Sequence, residues 1–235
     1  MDGMSGDGPD WLVTLLGGAS GSGKTRLGYP LARRYGVPVV EVDDLVEAVQ
    51  AMTTPEQQPA LHHWTVHPED ADLPVERVVE LQLAICEAVR PAVEAVVANH
   101  LRTRVPVVIE GDYVLPALAA QRSFAGVEAG TGEVRAAFVR EGDVDQLVRN
   151  YRDREPEEGP QLHRARVSAR YGDVLAERAA ALGLPVIEAR PWATAGERLA
   201  AGLELCAQAP RPAGSDRSAT SRRASGLDEA GFCPV

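Results

Sequence analysis

The sequence predicts an α/β protein with a parallel, doubly wound sheet, and three observations carry the prediction. Short apolar runs rich in β-branched residues alternate with segments of helical period along most of the chain. The first of these runs ends in a glycine-dense stretch that leads directly into a helical segment. The chain has 235 residues, 45% hydrophobic and 25% charged, which suits one domain of this class with a sizeable core.

Taken in order, residues 1–10 are rich in Gly and Asp and are expected to be flexible, with the folded domain over 11–207. Residues 11–16 form the first apolar run, closed by Gly17 and Gly18. Residues 25–35 place Leu27, Leu31 and Ala32 at helical spacing, with Pro30 expected in the first turns, where a missing amide donor is tolerated. Residues 37–42 read as the second strand, followed by Asp43, Asp44 and a helix over 45–52. The stretch 53–74 turns polar, carries Pro55, Pro59, Pro68 and Pro74, and reads as a loop-rich insertion on the substrate side.

Residues 75–101 repeat Val78, Leu81, Ile85, Val89, Val93 and Val96 at three- and four-residue steps, the pattern of a long amphipathic helix. Residues 105–109 are continuously β-branched, as in a strand buried on both faces, and Glu110, Gly111 and Asp112 stand at its C-terminal end. A fourth strand is expected over 134–139 with its helix at 144–151, then a helix over 163–182 and a fifth strand at 185–187. The intervening segment, about 152–165, is dense in Arg and Glu and is expected to be a lid. Residues 208–235 lose apolar period and are expected to form a disordered tail.

With 24 Lys+Arg against 34 Asp+Glu, the net charge is −10. Phosphate backbones are held by clustered cations that outnumber local acids, so no nucleic-acid partner is expected. No run reaches the roughly 20 apolar residues of a membrane span, and the N-terminal residues lack the basic-then-apolar order of a secretion signal. Cys86, Cys206 and Cys233 include no C-x-x-C pair, so neither a zinc site nor a disulfide framework is indicated and a cytoplasmic location is expected. Of the 24 cations, 23 are arginine and one is lysine, Lys24.

That lysine lies in Gly18-Ala19-Ser20-Gly21-Ser22-Gly23-Lys24-Thr25, a full match to G-x-x-x-x-G-K-[ST] between a predicted strand and a predicted helix. Such a loop turns successive amides and a helix N-terminus toward phosphates, with Lys24 on the phosphates and Thr25 on Mg²⁺. The bland alternative is a glycine-rich connector that binds nothing. A chain that otherwise uses arginine but keeps a compact ammonium at this position argues against it. A guanine-specific GTPase is excluded, because its N/T-K-x-D element needs a second lysine.

Asp43 and Asp44 follow the second strand and therefore belong at the sheet edge where ligands bind. A carboxylate there suits a general base toward an acceptor hydroxyl, while the competing role is to favour the N-terminus of the following helix. Glu110 is expected on the metal side with Thr25, and Asp112 near the substrate. Of the lid arginines, Arg149 and Arg152 share a helical face and are expected to touch phosphate. His63 and Trp64 in the insertion are candidate substrate contacts, and Arg190 and Trp192 after the fifth strand are candidates to frame an adenine base, with core packing the competing role for Trp192.

The loop, the Asp43-Asp44 pair and Val108-Ile109-Glu110-Gly111 followed by Pro116 together resemble the small-molecule P-loop kinases, most of all 2-phosphoglycerate kinase and its relatives, and more distantly uridine kinase and phosphoribulokinase. The resemblance implies a P-loop nucleoside-triphosphate-hydrolase fold with five parallel strands in the order 2-3-1-4-5, a small lid, Mg-ATP as donor and a small hydroxylated acceptor. It also implies a base among Asp43 and Asp44, Glu110 beside the metal, and residues 189–194 near adenine. The insertion departs from that pattern and lacks the basic residues that an already phosphorylated acceptor requires. A non-catalytic nucleotide switch or partner-regulated ATPase is the competing expectation, distinguished by whether 53–74 builds an acceptor pocket.

Overall fold

The computed structural model describes residues 9–208. The expectations for most of the N-terminal segment and of the tail lie outside the described residues. Strands β1 (Val13–Gly18), β2 (Val39–Glu41), β3 (Val107–Gly111), β6 (Val134–Arg140) and β7 (Val186–Glu188) form one sheet in the order β2-β3-β1-β6-β7, and all its pairings are parallel. Counted over these five strands, this is the expected 2-3-1-4-5 arrangement. A separate antiparallel hairpin, β4 (Ser123–Phe124) and β5 (Val127–Glu128), intervenes. The sequence reading missed it because its turn carries Ala125 and Gly126 at positive φ where the usual signal is Asn-Gly.

Helices α1 (Lys24–Tyr35) and α8 (Trp192–Gln208) cover one face of the sheet, and α4 (Val75–Thr103) and α7 (Leu162–Ala181) the other. Alternation along β1 divides the core accordingly. Leu15 packs with Val97, Ile109, Phe138 and Leu175, whereas Leu16 packs with Leu27, Val139, Ile187 and Leu199. Pro30 sits mid-helix in α1, not in its first turns, and its ring is exposed.

The second strand is shorter than expected. Val42 leaves the sheet to open α2 (Val42–Met52), with Glu41 at the N-cap and Asp43 and Asp44 in the first turn, where negative charge is favoured by the helix dipole. The insertion folds into a short helix α3 (His63–Val66) and a 3-10 turn over Pro68–Asp72. The lid segment is largely helical. Helix α6 (Val144–Arg154) runs three residues past its expected end, a 3-10 turn spans Pro156–Glu158, and α7 begins at Leu162. Helix α5 (Pro116–Ala119) packs against α7 and β6.

Candidate active site

Parallel register brings the chemistry to one edge. Leu16 pairs with Glu110 and Gly17 with Gly111, while Glu41 pairs with Glu110 on the other side, so the strand ends rise together beside the phosphate loop. Two glycines make the close approaches. A Cβ on Gly111 would stand 2.7 Å from the Val42 Cβ, so its absence lets the first turn of α2 descend onto β3 and sets Asp43 beside Asp112. Gly23, at φ 94°, is the N-cap of α1, and a Cβ there would stand 2.1 Å from Trp192.

A cavity of about 1100 Å³ opens at this edge. It is lined by loop residues Ser20, Gly21, Gly23, Lys24 and Thr25, by Asp43, Glu110 and Asp112, and by Trp64 and Trp192. Lys24 is buried, donates to the Ala19 carbonyl at 3.1 Å and pairs with the Asp112 carboxylate. Thr25 Oγ1 donates to Glu110 Oε1 at 2.8 Å, and Glu110 Oε2 is buried with no hydrogen-bond partner. Burial holds the Glu110 carboxyl above the ordinary glutamate value, against the Thr25 hydrogen bond and the Lys24 charge. An orphaned carboxylate oxygen beside a hydroxyl is a hard oxygen pair of the kind Mg²⁺ accepts when phosphate oxygens and waters complete its shell. Among the described residues no group of three His, Cys, Asp or Glu could hold a metal alone.

Asp43 opens to the cavity, yet the surrounding protein limits its hydration and, with the Asp112 charge, holds its carboxyl above the ordinary aspartate value. Asp44 does not line the cavity. It lies on the solvent side of the first turn of α2, where a residue one position along a helix faces away from its neighbour.

The arginine expectation is corrected. Arg149 and Arg152 are exposed and do not line the cavity; Arg149 is occupied by Gln146 at 2.9 Å. Arg154 and Arg164 line it instead, stacked at 5.3 and 4.4 Å over the Tyr151 ring. The extra length of α6 and the turn after it bring these two guanidiniums round. Arg190 does not frame the nucleotide side, because its guanidinium is bound to Glu141 at 2.9 Å and Asp143 at 3.0 Å. Trp192 does line the cavity, with Arg26 at 4.6 Å over its ring. His63 turns away to Asp70, 3.0 Å distant, and leaves only Trp64 on the cavity wall.

Residues that sequence reasoning missed hold the loop in shape. Asn150 Nδ2 donates to the Gly21 carbonyl at 2.8 Å, and the buried Tyr151 hydroxyl donates to the Ser20 carbonyl at 3.0 Å. Behind Asp112, the Tyr171 hydroxyl donates to the Asp112 carbonyl at 2.6 Å and contacts Cys86 Sγ at 3.1 Å. Burial pushes the Cys86 thiol up to about 12. The local signal for this set is helical period alone, over 144–151 for Asn150 and Tyr151, 163–182 for Tyr171 and 75–101 for Cys86.

No family model matches the chain. Among curated proteins it is 30% identical over 112 residues to a 2-phosphoglycerate kinase from Pyrococcus horikoshii, and 30% identical over 113 residues to one from Methanocaldococcus jannaschii. These stretches amount to 45% and 46% of this chain but only 36% of each relative's length. Solved structures that it matches include shikimate kinase from Acinetobacter baumannii in complex with shikimate, at 15% identity, with coverage of 82% of this chain and 91% of that one and a TM-score of 0.46. A gluconokinase from Sinorhizobium meliloti matches at 20% identity, 83% and 91% coverage and a TM-score of 0.41. Over less than half of its length the chain thus resembles the 2-phosphoglycerate kinases, as its motifs suggest.

Proposed function

We propose that this protein is a phosphotransferase that moves the γ-phosphate of ATP onto a hydroxyl of a small molecule. The observation that carries the reading is the convergence of Lys24, Thr25, Glu110 and Asp43 on one cavity large enough for a nucleotide and a second ligand. In this reading Thr25 and Glu110 would hold Mg²⁺, which would supply charge neutralisation at the transferring phosphate. Loop amides and Lys24 hold the phosphates, the ammonium exchanging Asp112 for phosphate oxygen as nucleotide arrives.

Asp43 accepts the proton of the acceptor hydroxyl. The new bond joins that oxygen to the γ-phosphorus, the bond to the bridging oxygen of ADP breaks, and the electron pair leaves with ADP. Arg154 and Arg164 meet the charge spread over the transferring group, and Trp192 provides a flat apolar surface for the base. An acceptor that is not nucleic acid accords with the net charge of −10. Among the described residues no helix is long and apolar enough to cross a membrane, and a cytosolic site of action belongs to the same proposal.

The test is mass-spectrometric detection of a phosphorylated product when the protein, Mg-ATP and pooled hydroxylated metabolites are incubated together. A product absent with Lys24→Ala is the expected result. ATP binding without any product, together with ATP hydrolysis stimulated only by macromolecules, would favour a nucleotide switch and reject the proposal.

A further inference from the structure

The elements that line the cavity differ in charge, and the difference bears on the acceptor, an inference that rests on the phosphotransfer reading above. The lining cations are Lys24, Arg26, Arg154 and Arg164. All belong to the phosphate loop, the first turn of α1, or the helix ends that flank the lid. Glu155 sits between the two lid arginines, 2.7 Å from Arg154 and 2.6 Å from Arg164.

Other parts of the lining come from different elements: Asp43 on α2, Trp64 on α3, Asp72 at the end of the 3-10 turn, Gln82 on α4, and Tyr113 after β3. Among the described residues, no lysine or arginine from these elements lines the cavity. Asp43 and Asp72 form no ion pair with a described residue, whereas Asp70, two positions before Asp72, is paired with His63. In all, five carboxylates line the cavity, Glu41, Asp43, Asp72, Glu110 and Asp112, against four cations. Mg-ATP brings further net negative charge.

An acceptor already carrying phosphate or carboxylate meets like charge from these elements and no guanidinium to receive it. A protonated amine meets the reverse, two unpaired carboxylates and an aromatic ring whose face attracts cations. We propose that the acceptor is a hydroxylated amine, a small polyol with at least one protonated amino group, received by Asp72 and Trp64 while Asp43 faces the hydroxyl. The acceptor class therefore differs from the one named for the partial relatives, 2-phosphoglycerate.

The experiment titrates the full chain, saturated with Mg²⁺ and a non-hydrolysable ATP analogue, with glucosamine, galactosamine and streptamine. Each is compared with its N-acetylated and its deaminated counterpart, and all with 2-phosphoglycerate. At least one amine is expected to bind about tenfold tighter than its uncharged counterparts. Asp72→Asn should erase that margin without changing affinity for the ATP analogue. Asp72 is exposed on a short turn, so the charge reversal Asp72→Lys should fold and shift preference toward 2-phosphoglycerate.

Amines binding no better than their N-acetyl or deaminated forms, or 2-phosphoglycerate binding best to the parent protein, would overturn the inference. Failure of the ATP analogue to bind, or unchanged analogue binding in Lys24→Ala, would overturn the phosphotransfer reading instead.

Discussion

The nucleotide end and the acceptor end of one cavity are made in opposite ways. In the proposed reaction the nucleotide end is contiguous, eight residues from Gly18 to Thr25 whose backbone would do the binding and whose shape is held by contacts from Asn150, Tyr151 and Trp192. The acceptor end is convergent, with Asp43, Trp64, Asp72, Gln82 and Tyr113 arriving from separate elements. A contiguous site tolerates almost no change in backbone, whereas a convergent one can exchange side chains singly. The first should therefore fix the reaction, and the second the molecule it acts on.

The comparison breaks most sharply at Gly23. Gly23→Ala puts a methyl against Trp192 at a positive φ, and ATP affinity should fall about 100-fold or more by titration calorimetry, with any acceptor-side binding intact. Unchanged ATP affinity would mean that the loop is not held as described. Next comes Asp43→Asn, for which turnover should fall about 10²- to 10⁴-fold while the ATP affinity moves less than about twofold. Asp44→Asn should leave turnover near the parent value, and equal losses in the two variants would reject Asp43 as the base.

A smaller effect separates the arginines. Arg164→Ala should cost about 10- to 100-fold in kcat, whereas Arg149→Ala and Arg152→Ala should stay within about twofold. Steady-state kinetics with saturating ATP decides this, and comparable losses at Arg152 would show that a different face of α6 meets the phosphates.

The smallest effect is on stability. Because the folded carboxyl of Asp43 titrates above its unfolded value, its share of stability is intact below about pH 4 and is lost as pH rises through the folded value. Asp43→Asn removes that loss. The variant should match the parent's Tm in acid and exceed it modestly toward neutrality, and a Tm below the parent's at pH 7 would contradict the charge crowding.

Legibility in the sequence follows the same division. The five sheet strands and their helices declare themselves through period and β-branching, and Lys24, Thr25 and Glu110 through a loop and strand that leave little freedom. Val42 did not, because an apolar residue fits both the end of a strand and the start of a helix, and only the vacancy beside Gly111 decides between them. Arg149 and Arg152 looked suitable because helical spacing reports which residues share a face and not which face meets the loop. Here that face belongs to Asn150 and Tyr151, which packing places over the glycines. His63 is adjacent to the correct residue, but Asp70 captures it across the short turn.

One feature of the nucleotide end reaches beyond catalysis. Lys24 is the sole side-chain primary amine in 235 residues, and it lies buried against Asp112 and the Ala19 carbonyl. Every side-chain acylation that targets lysine, whether by an active ester or by an acyl donor in the cell, therefore falls on the phosphate loop or nowhere. Nucleotide bound as proposed would be readable as protection of that single side-chain amine from labelling, with no engineered tag.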